Sequence, residues 1–213
     1  MPHVCGVPEK GGGIMARTRN ETQFNEARQR LLTLGEDLIR SRSYADVGIN
    51  DVLNTAGIPK GSFYHYFDSK QEFVVAVAQH YHAKQLAAAK ALLCGAREPA
   101  ATRLKRFFQT SLNDYRKRGF IQGCLMCNLT TELADEAPTF NQLLQTQFAE
   151  LSAVIAACLH DTDLSPLGLA HLTIEEAADW LLNGWSGALT RMKATQDSTP
   201  LDLFMKSVFK GEA

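Results

Sequence analysis

Apolar residues recur at steps of three and four along most of this chain. Phe24, Ala27, Leu31, Leu34 and Leu38 share one face of a helix expected from about residue 22 to 42. Ile49, Val52, Leu53 and Ala56 mark a short second helix, which Gly57 closes as a left-handed cap. Pro59 pre-sets the backbone for a first turn and opens a third short helix over 60–67. Ser69 and Glu72 form a capping box that starts a long helix through Phe73, Val74, Val77, Tyr81, Ala88 and Leu92. The same spacing predicts helices over 99–118, 123–134, 138–160, 173 to about 194 and 199–210, with loops at 161–168 and 196–200. No alternating strand pattern, internal repeat or low-complexity tract interrupts this, so the expected fold class is all-α.

Composition changes this picture little. With 213 residues, 45% of them hydrophobic, the chain can bury a substantial core. No apolar run reaches the roughly 18 residues of a membrane span, and the first 20 residues lack the apolar stretch of a signal peptide. A cytoplasmic location without membrane contact is expected. The five cysteines, at 5, 94, 124, 127 and 158, are an odd number in a chain that needs no disulfide framework, so free thiols are expected. Net charge is −1, with 9 basic and 8 acidic residues up to position 70, so any basic footprint must be local. Residues 1–14 are rich in Gly and Pro and read as a disordered leader. Met15, a candidate natural start, precedes a basic arm that carries Arg17 and Arg19.

The densest local chemistry is "GIPKGSFYHYF", residues 57–67, with five rings in succession from Phe63 to Phe67. Two short helices joined by a tight glycine turn and preceded by a longer one match a helix-turn-helix, whose second short helix enters the DNA major groove. Phe63 and Phe67, four apart, can pack on the first helix and leave Ser62, Tyr64, His65 and Tyr66 outside. The Tyr64, His65 and Tyr66 tips can then donate hydrogen bonds to phosphates, with Lys60 and Lys70 adding charge at either end. Lys60, the Gly61 backbone and Ser62 lie at the end that reaches base edges. Taken alone, such a segment is equally readable as an amphipathic surface turn.

The whole arrangement resembles the TetR family of bacterial one-component regulators. Its DNA-binding signature appears as Ala56-Gly57-Ile58, then Gly61-Ser62-Phe63-Tyr64-His65-Tyr66-Phe67, then Ser69-Lys70-Gln71-Glu72, within a match spanning about 22–73. The resemblance implies base or thymine-methyl reading by Lys60, Gly61, Ser62 and Tyr64, and phosphate contacts from Tyr64, His65, Tyr66 and Lys70. Two positions depart from the family: Gly48 caps the second helix without the usual hydroxyl, and Pro59 replaces a frequent Ser or Thr. The implied organisation is a leader and arm over 1–21, a helix-turn-helix domain over 22–68, and a ligand-binding and dimerisation domain over 69–213. Partners are then a double-stranded DNA operator, a small-molecule effector and a second copy docked through the last two helices, which carry wide apolar faces.

In the regulatory half, Gly123-Cys124-Leu125-Met126-Cys127-Asn128-Leu129 stands out. A zinc site would need further ligands that the spacing does not offer, and thioredoxin-like catalysis a βαβ context, so neither metal nor cofactor is expected. Cys124 is readable as a buried core thiol. It is equally readable as a reactive one, because the start of a helix favours the thiolate. This motif, with Trp185-Ser186-Gly187-Ala188, Arg191 and Lys193, resembles a TetR subgroup that responds to acrylate, quinones, aldehydes and similar electrophiles. That resemblance implies a ligand site around Cys124, Asn128, Trp185, Arg191 and Lys193, although Arg191 and Lys193 also read as solvated charges at a helix end. The expected function is a non-enzymatic transcriptional regulator, a repressor released from a palindromic operator by a small electrophile or short unsaturated carboxylate. The alternative is a thiol-dependent helical enzyme using Cys124, for which no general base or oxyanion motif is evident in the sequence.

Overall fold

A computed structural model of the chain describes residues 13–95, 97–135 and 138–209, with side chains from residue 21 onward. The expected all-α fold is observed, as eight α-helices and two short 3-10 turns among these residues. Helix α1 (Gly13–Ser41) begins earlier than the sequence pattern suggested. Ala16, Met15 and two arginines favour helix and no proline intervenes, so the expected arm forms the first turns of α1. The leader up to residue 12, and the side chains of Arg17 and Arg19, lie outside the described residues.

Helix α2 (Ile49–Ala56) buries Val52, Leu53 and Ala56 and ends at Gly57, whose φ of 66° only a residue without a Cβ adopts at no cost. The Ile58 amide closes this turn on the Leu53 carbonyl at 3.0 Å. Pro59 caps a 3-10 turn, Lys60–His65, from just outside it rather than sitting in its first turn. Ser69 caps α3 (Lys70–Leu93) by accepting the Glu72 amide at 3.0 Å, whereas the Glu72 carboxylate takes the amide of Asp68 instead of that of Ser69. Then follow α4 (Ala100–Lys117), α5 (Leu125–Leu133), α6 (Pro138–Leu159), α7 (Ile174–Thr195) and α8 (Thr199–Val208). A 3-10 turn at Ser165–Leu167 shortens the loop before α7, and the Thr173 and Glu176 side chains complete a capping box at its start.

Packing does not change at residues 68 and 69, where the sequence placed a domain boundary. One buried cluster joins α1, α2, the Lys60–His65 turn and the first half of α3 to α5 and Phe140 and Leu144 of α6. A second joins the end of α3 to α4, the end of α6, α7 and α8. Helices α3 and α6 run through both, and Cys124 is packed against both. Within the first, α1 and α3 approach so closely at Gly35 that an added Cβ would lie 2.5 Å from the ring of Phe73. No described helix is long and apolar enough to cross a membrane.

Candidate functional site

The Lys60–His65 turn is anchored by an aromatic cluster. Phe63 and Phe67 are buried, and their ring centroids lie 5.6 and 4.9 Å from that of Phe73 at the start of α3. The Arg28 guanidinium of α1 covers the Phe67 ring at 5.0 Å. With its apolar side fixed, the turn presents Lys60, Gly61, Tyr64 and His65 to solvent, and Tyr64 is 67% exposed. Ser62 and Tyr66 are half-buried, and Tyr66 stacks on Phe24 of α1 at 4.9 Å. A Cβ at Gly61 would meet nothing within 4 Å, so the chain's own packing does not demand glycine there. The outward room suits a partner that approaches the backbone closely. Lys70, expected from sequence to add charge at the end of this segment, is tied to the chain's own backbone. Its ammonium donates to the Tyr44 carbonyl at 2.8 Å and lies 4.3 Å from the Tyr44 ring centroid, leaving the remaining N–H groups for a phosphate.

The second candidate region is a cavity of about 290 Å³ between α3, α4, α6 and α7. Its walls are mainly apolar, with Phe108 and Trp185 packed at 5.1 Å and Phe204 behind them. At one end Cys124 joins Tyr81, Tyr115 and Arg40, and Arg40 belongs to α1. The cavity therefore touches the helix that packs behind the Lys60–His65 turn.

Arg40 is buried, and its position follows from the partners around it. Its Nε donates to the Gly123 carbonyl at 2.9 Å, and the Gly123 amide donates back to the Arg40 carbonyl at 3.2 Å. Glu36 accepts from Arg40 at 3.3 Å and, through its other oxygen, from Lys84 of α3 at 2.8 Å. The guanidinium lies 5.3 and 5.6 Å from the ring centroids of Tyr81 and Tyr115. Burial works against its charge, but Tyr81, Tyr115, Glu36 and Cys124 outweigh that and raise its pKa.

Cys124 is the N-cap residue of α5, and Cys127 lies three residues on, in its first turn. The Cys127 thiol, hydrogen-bonded to the Cys124 sulfur, is the strongest influence there and pulls the Cys124 pKa down to about 6 against the effect of burial. The Tyr81 hydroxyl, 3.9 Å away, adds to this, as do the Met126 and Cys127 amides, which face the sulfur without closing a capping hydrogen bond. The same contact and burial push Cys127 up. The proton of the pair therefore resides on Cys127 and the thiolate on Cys124. Burial also raises Tyr81 and Tyr115, so both phenols remain donors. The cavity end thus combines a nucleophilic sulfur, two neutral donors and a fixed guanidinium, which suits a small compound with a soft electrophilic carbon and a polar oxygen.

Of the ligand residues expected from sequence, Cys124 and Trp185 line this cavity and Asn128, Arg191 and Lys193 do not. The Asn128 amide nitrogen instead faces the Ile39 and Arg40 carbonyls at 3.4 and 3.5 Å, at the C-terminal end of α1. The Lys193 ammonium reaches the Arg42 carbonyl at 3.5 Å, with its stem so close to Gly123 that a Cβ there would lie 2.9 Å from Lys193 Cδ. Arg191 is exposed. The positions of Asn128 and Lys193 are explained by the carbonyls at and just beyond the end of α1, which lack intrahelical partners and attract donors from elsewhere. Sequence reasoning missed Arg40, Tyr81 and Tyr115. A signal existed: Leu32, Glu36 and Arg40 form one i, i+4 row, so the two charges continue a buried line.

Residues 31–77 match the family described as bacterial regulatory proteins, tetR family, and residues 100–208 match the Tetracyclin repressor-like, C-terminal domain. The transcriptional regulator AcuR of Cereibacter sphaeroides is 31% identical over 97% of this chain and 92% of its own length. The HTH-type transcriptional repressor NemR of Escherichia coli is 28% identical over 86% of this chain and 92% of its own. Among solved structures, a regulatory protein TetR from Rhodobacter sphaeroides superposes with a TM-score of 0.80 at 26% identity, covering 86% of this chain and 97% of that one. The reduced form of Escherichia coli NemR superposes with a TM-score of 0.74 at 28% identity, covering 86% and 95%. On the strength of these two matched segments and relatives spanning nearly its whole length, the chain belongs to the TetR family of bacterial regulatory proteins.

Proposed function

We propose that this chain is a cytoplasmic, homodimeric repressor that leaves a palindromic operator when a small electrophile reacts with Cys124. The coarser part, a DNA-binding transcriptional regulator, follows from its family. The observation that supports the finer part is the covalent neighbour of the thiolate: Gly123 is hydrogen-bonded in both directions to Arg40 of α1. In an α,β-unsaturated acid, maleimide or quinone, the Cys124 sulfur forms a bond to the β-carbon. The carbon–carbon π pair moves to the α-carbon, which takes a proton from solvent. The adduct turns the thiolate beside Arg40 into a neutral thioether and adds volume next to Gly123, so α1 and α5 lose their present fit. A ligand shifts an equilibrium only through such a difference in interaction between two states.

Dimerisation is assigned to α7 and α8 because Trp180 and Leu203 remain 46% and 56% exposed there, and Gly187 has open space at its Cβ. A dimer sets two recognition turns about 34 Å apart, a spacing that tolerates little displacement. The test is operator release titrated with acrylate, N-ethylmaleimide or a quinone. Cys124→Ser should keep operator affinity and lose release, while Cys5→Ser and Cys158→Ser respond as the parent does. Full release from the Cys124→Ser protein would return that cysteine to a packing role.

A further inference from the structure

Cys127 forms no bond in the electrophile reaction above, yet it lies three residues from the sulfur that carries it, in the first turn of the same helix. We infer that Cys127 is a resolving thiol, so that an oxidant of the hydroperoxide class converts Cys124 and Cys127 into an intramolecular disulfide at the start of α5. This deepens the proposed function, because it rests on Cys124 being the reactive sulfur of the cavity.

Three observations carry it. The N-cap and third helical positions bring the two residues onto one face of the first turn. Helical geometry at that separation gives a Cα spacing of about 5–6 Å, inside the range a disulfide spans without backbone movement. Second, Cys124 lines the cavity, whose volume of about 290 Å³ admits a peroxide. Third, the other described cysteines stand apart from this cavity: Cys94 is exposed and Cys158 is buried with its sulfur against the Ala100 carbonyl.

The chemistry balances. The Cys124 thiolate attacks one peroxide oxygen, the O–O bond breaks, and the departing alkoxide or hydroxide takes a proton from solvent, leaving a sulfenic acid. The Cys127 sulfur then attacks the Cys124 sulfur, the S–O bond breaks, and the hydroxyl leaves as water with the Cys127 proton. The two sulfurs lose two electrons and the peroxide gains them. The disulfide has no nucleophilic sulfur, so the oxidised protein is closed to electrophiles until a thiol reductant reopens it.

The experiment treats the full-length protein with hydrogen peroxide and maps peptides cleaved after Arg118 and Glu132, which separate this pair from Cys158. The expected product is the peptide covering 119–132, lighter by two hydrogen atoms and restored by dithiothreitol. Cys127→Ala should lose that product and accumulate sulfinic acid at Cys124, which dithiothreitol does not reverse. Cys158→Ser should form the disulfide as the parent does. Equal overoxidation of Cys124 in parent and Cys127→Ala, or a disulfide joining Cys94 to Cys158 instead, overturns the inference. Alkylation of untreated protein with iodoacetamide keeps the two readings apart. Rapid labelling of Cys124 without a disulfide sinks only the resolving role, whereas an unreactive Cys124 sinks the proposed function as well.

Discussion

The Lys60–His65 turn, proposed to face DNA, and the α1–α5 junction are both polar devices held by aromatic neighbours, but they are built in opposite ways. In the turn the rings of Phe63 and Phe67 are buried and the polar groups point away from them into solvent. At the junction the polar groups of Arg40 and Glu36 are themselves buried and satisfy one another, with Tyr81 and Tyr115 around them. A surface made to meet phosphates keeps its donors hydrated until the partner arrives. A junction that responds to a small compound, as proposed, would need its charges desolvated, because only there does one added or removed charge change the energy appreciably. Substitutions in the two regions should therefore fail differently.

The largest effect is expected at the junction. Arg40→Met should destabilise the protein by about 3 kcal/mol, since removing one partner of a buried ion pair leaves the other uncompensated, here with Lys84 as partial relief. Lys60→Ala should change stability by less than about 0.5 kcal/mol. Urea unfolding of both proteins checks the contrast, and equal losses would erase it. Next comes Gly35→Ala, in the packing that joins the two regions. Its Cβ would meet Phe73 and Val77 at 2.5 and 2.9 Å, and displacing a wedged ring costs about 1–3 kcal/mol. An unchanged urea midpoint would show that α1 and α3 separate easily.

On the DNA face, Ser62 and Lys60 substitutions should alter base preference by roughly 1–3 kcal/mol in a randomised-operator selection. Lys70→Ala should weaken binding to all sequences alike and reduce the slope of log K against log salt by about 0.9 for each phosphate that the complex no longer neutralises. A changed base preference in Lys70→Ala would place that residue in the groove.

The subtlest effect is in pH. A Cys124 pKa of about 6 predicts iodoacetamide labelling that is half-maximal near that pH, moving up towards about 8.5 in Cys127→Ala when the hydrogen bond is removed. Its folded pKa is depressed, so its contribution to stability is full above the unfolded value and lost as pH falls through about 6. A parent labelling profile centred on an ordinary thiol value would contradict the shared-proton arrangement.

Much of the fold was legible because the apolar spacing is regular and its breaks are chemical. Gly57 ends α2 and Ser69 caps α3 as their residue types imply, since a left-handed cap and a side-chain cap are local matters, although the Glu72 carboxylate took the Asp68 amide instead of that of Ser69. The start of α1 was missed because Gly and Pro nearby obscured helix-favouring residues. The candidate site was half legible. Cys124 was legible from its place at a helix start and, like Trp185, from the resemblance to electrophile-responsive regulators, whereas Arg40 lay hidden in an ordinary Glu–Arg pair four residues apart, which usually marks a solvated face.

The sequence by itself determined the helices, the buried aromatic side of the recognition turn and the adjacency of Cys124 to a helix start. Each depends on residues within about one or two turns of one another. Only the tertiary structure decided that Arg40 would close on Gly123, 83 residues away, and that α5 would pack with the DNA-binding core. It also decided that Asn128 and Lys193 would serve the open end of α1 instead of the cavity. The physical reason is that burial reassigns polar groups. A desolvated charge or carbonyl must find a partner wherever the chain places one, and sequence spacing carries no record of that choice.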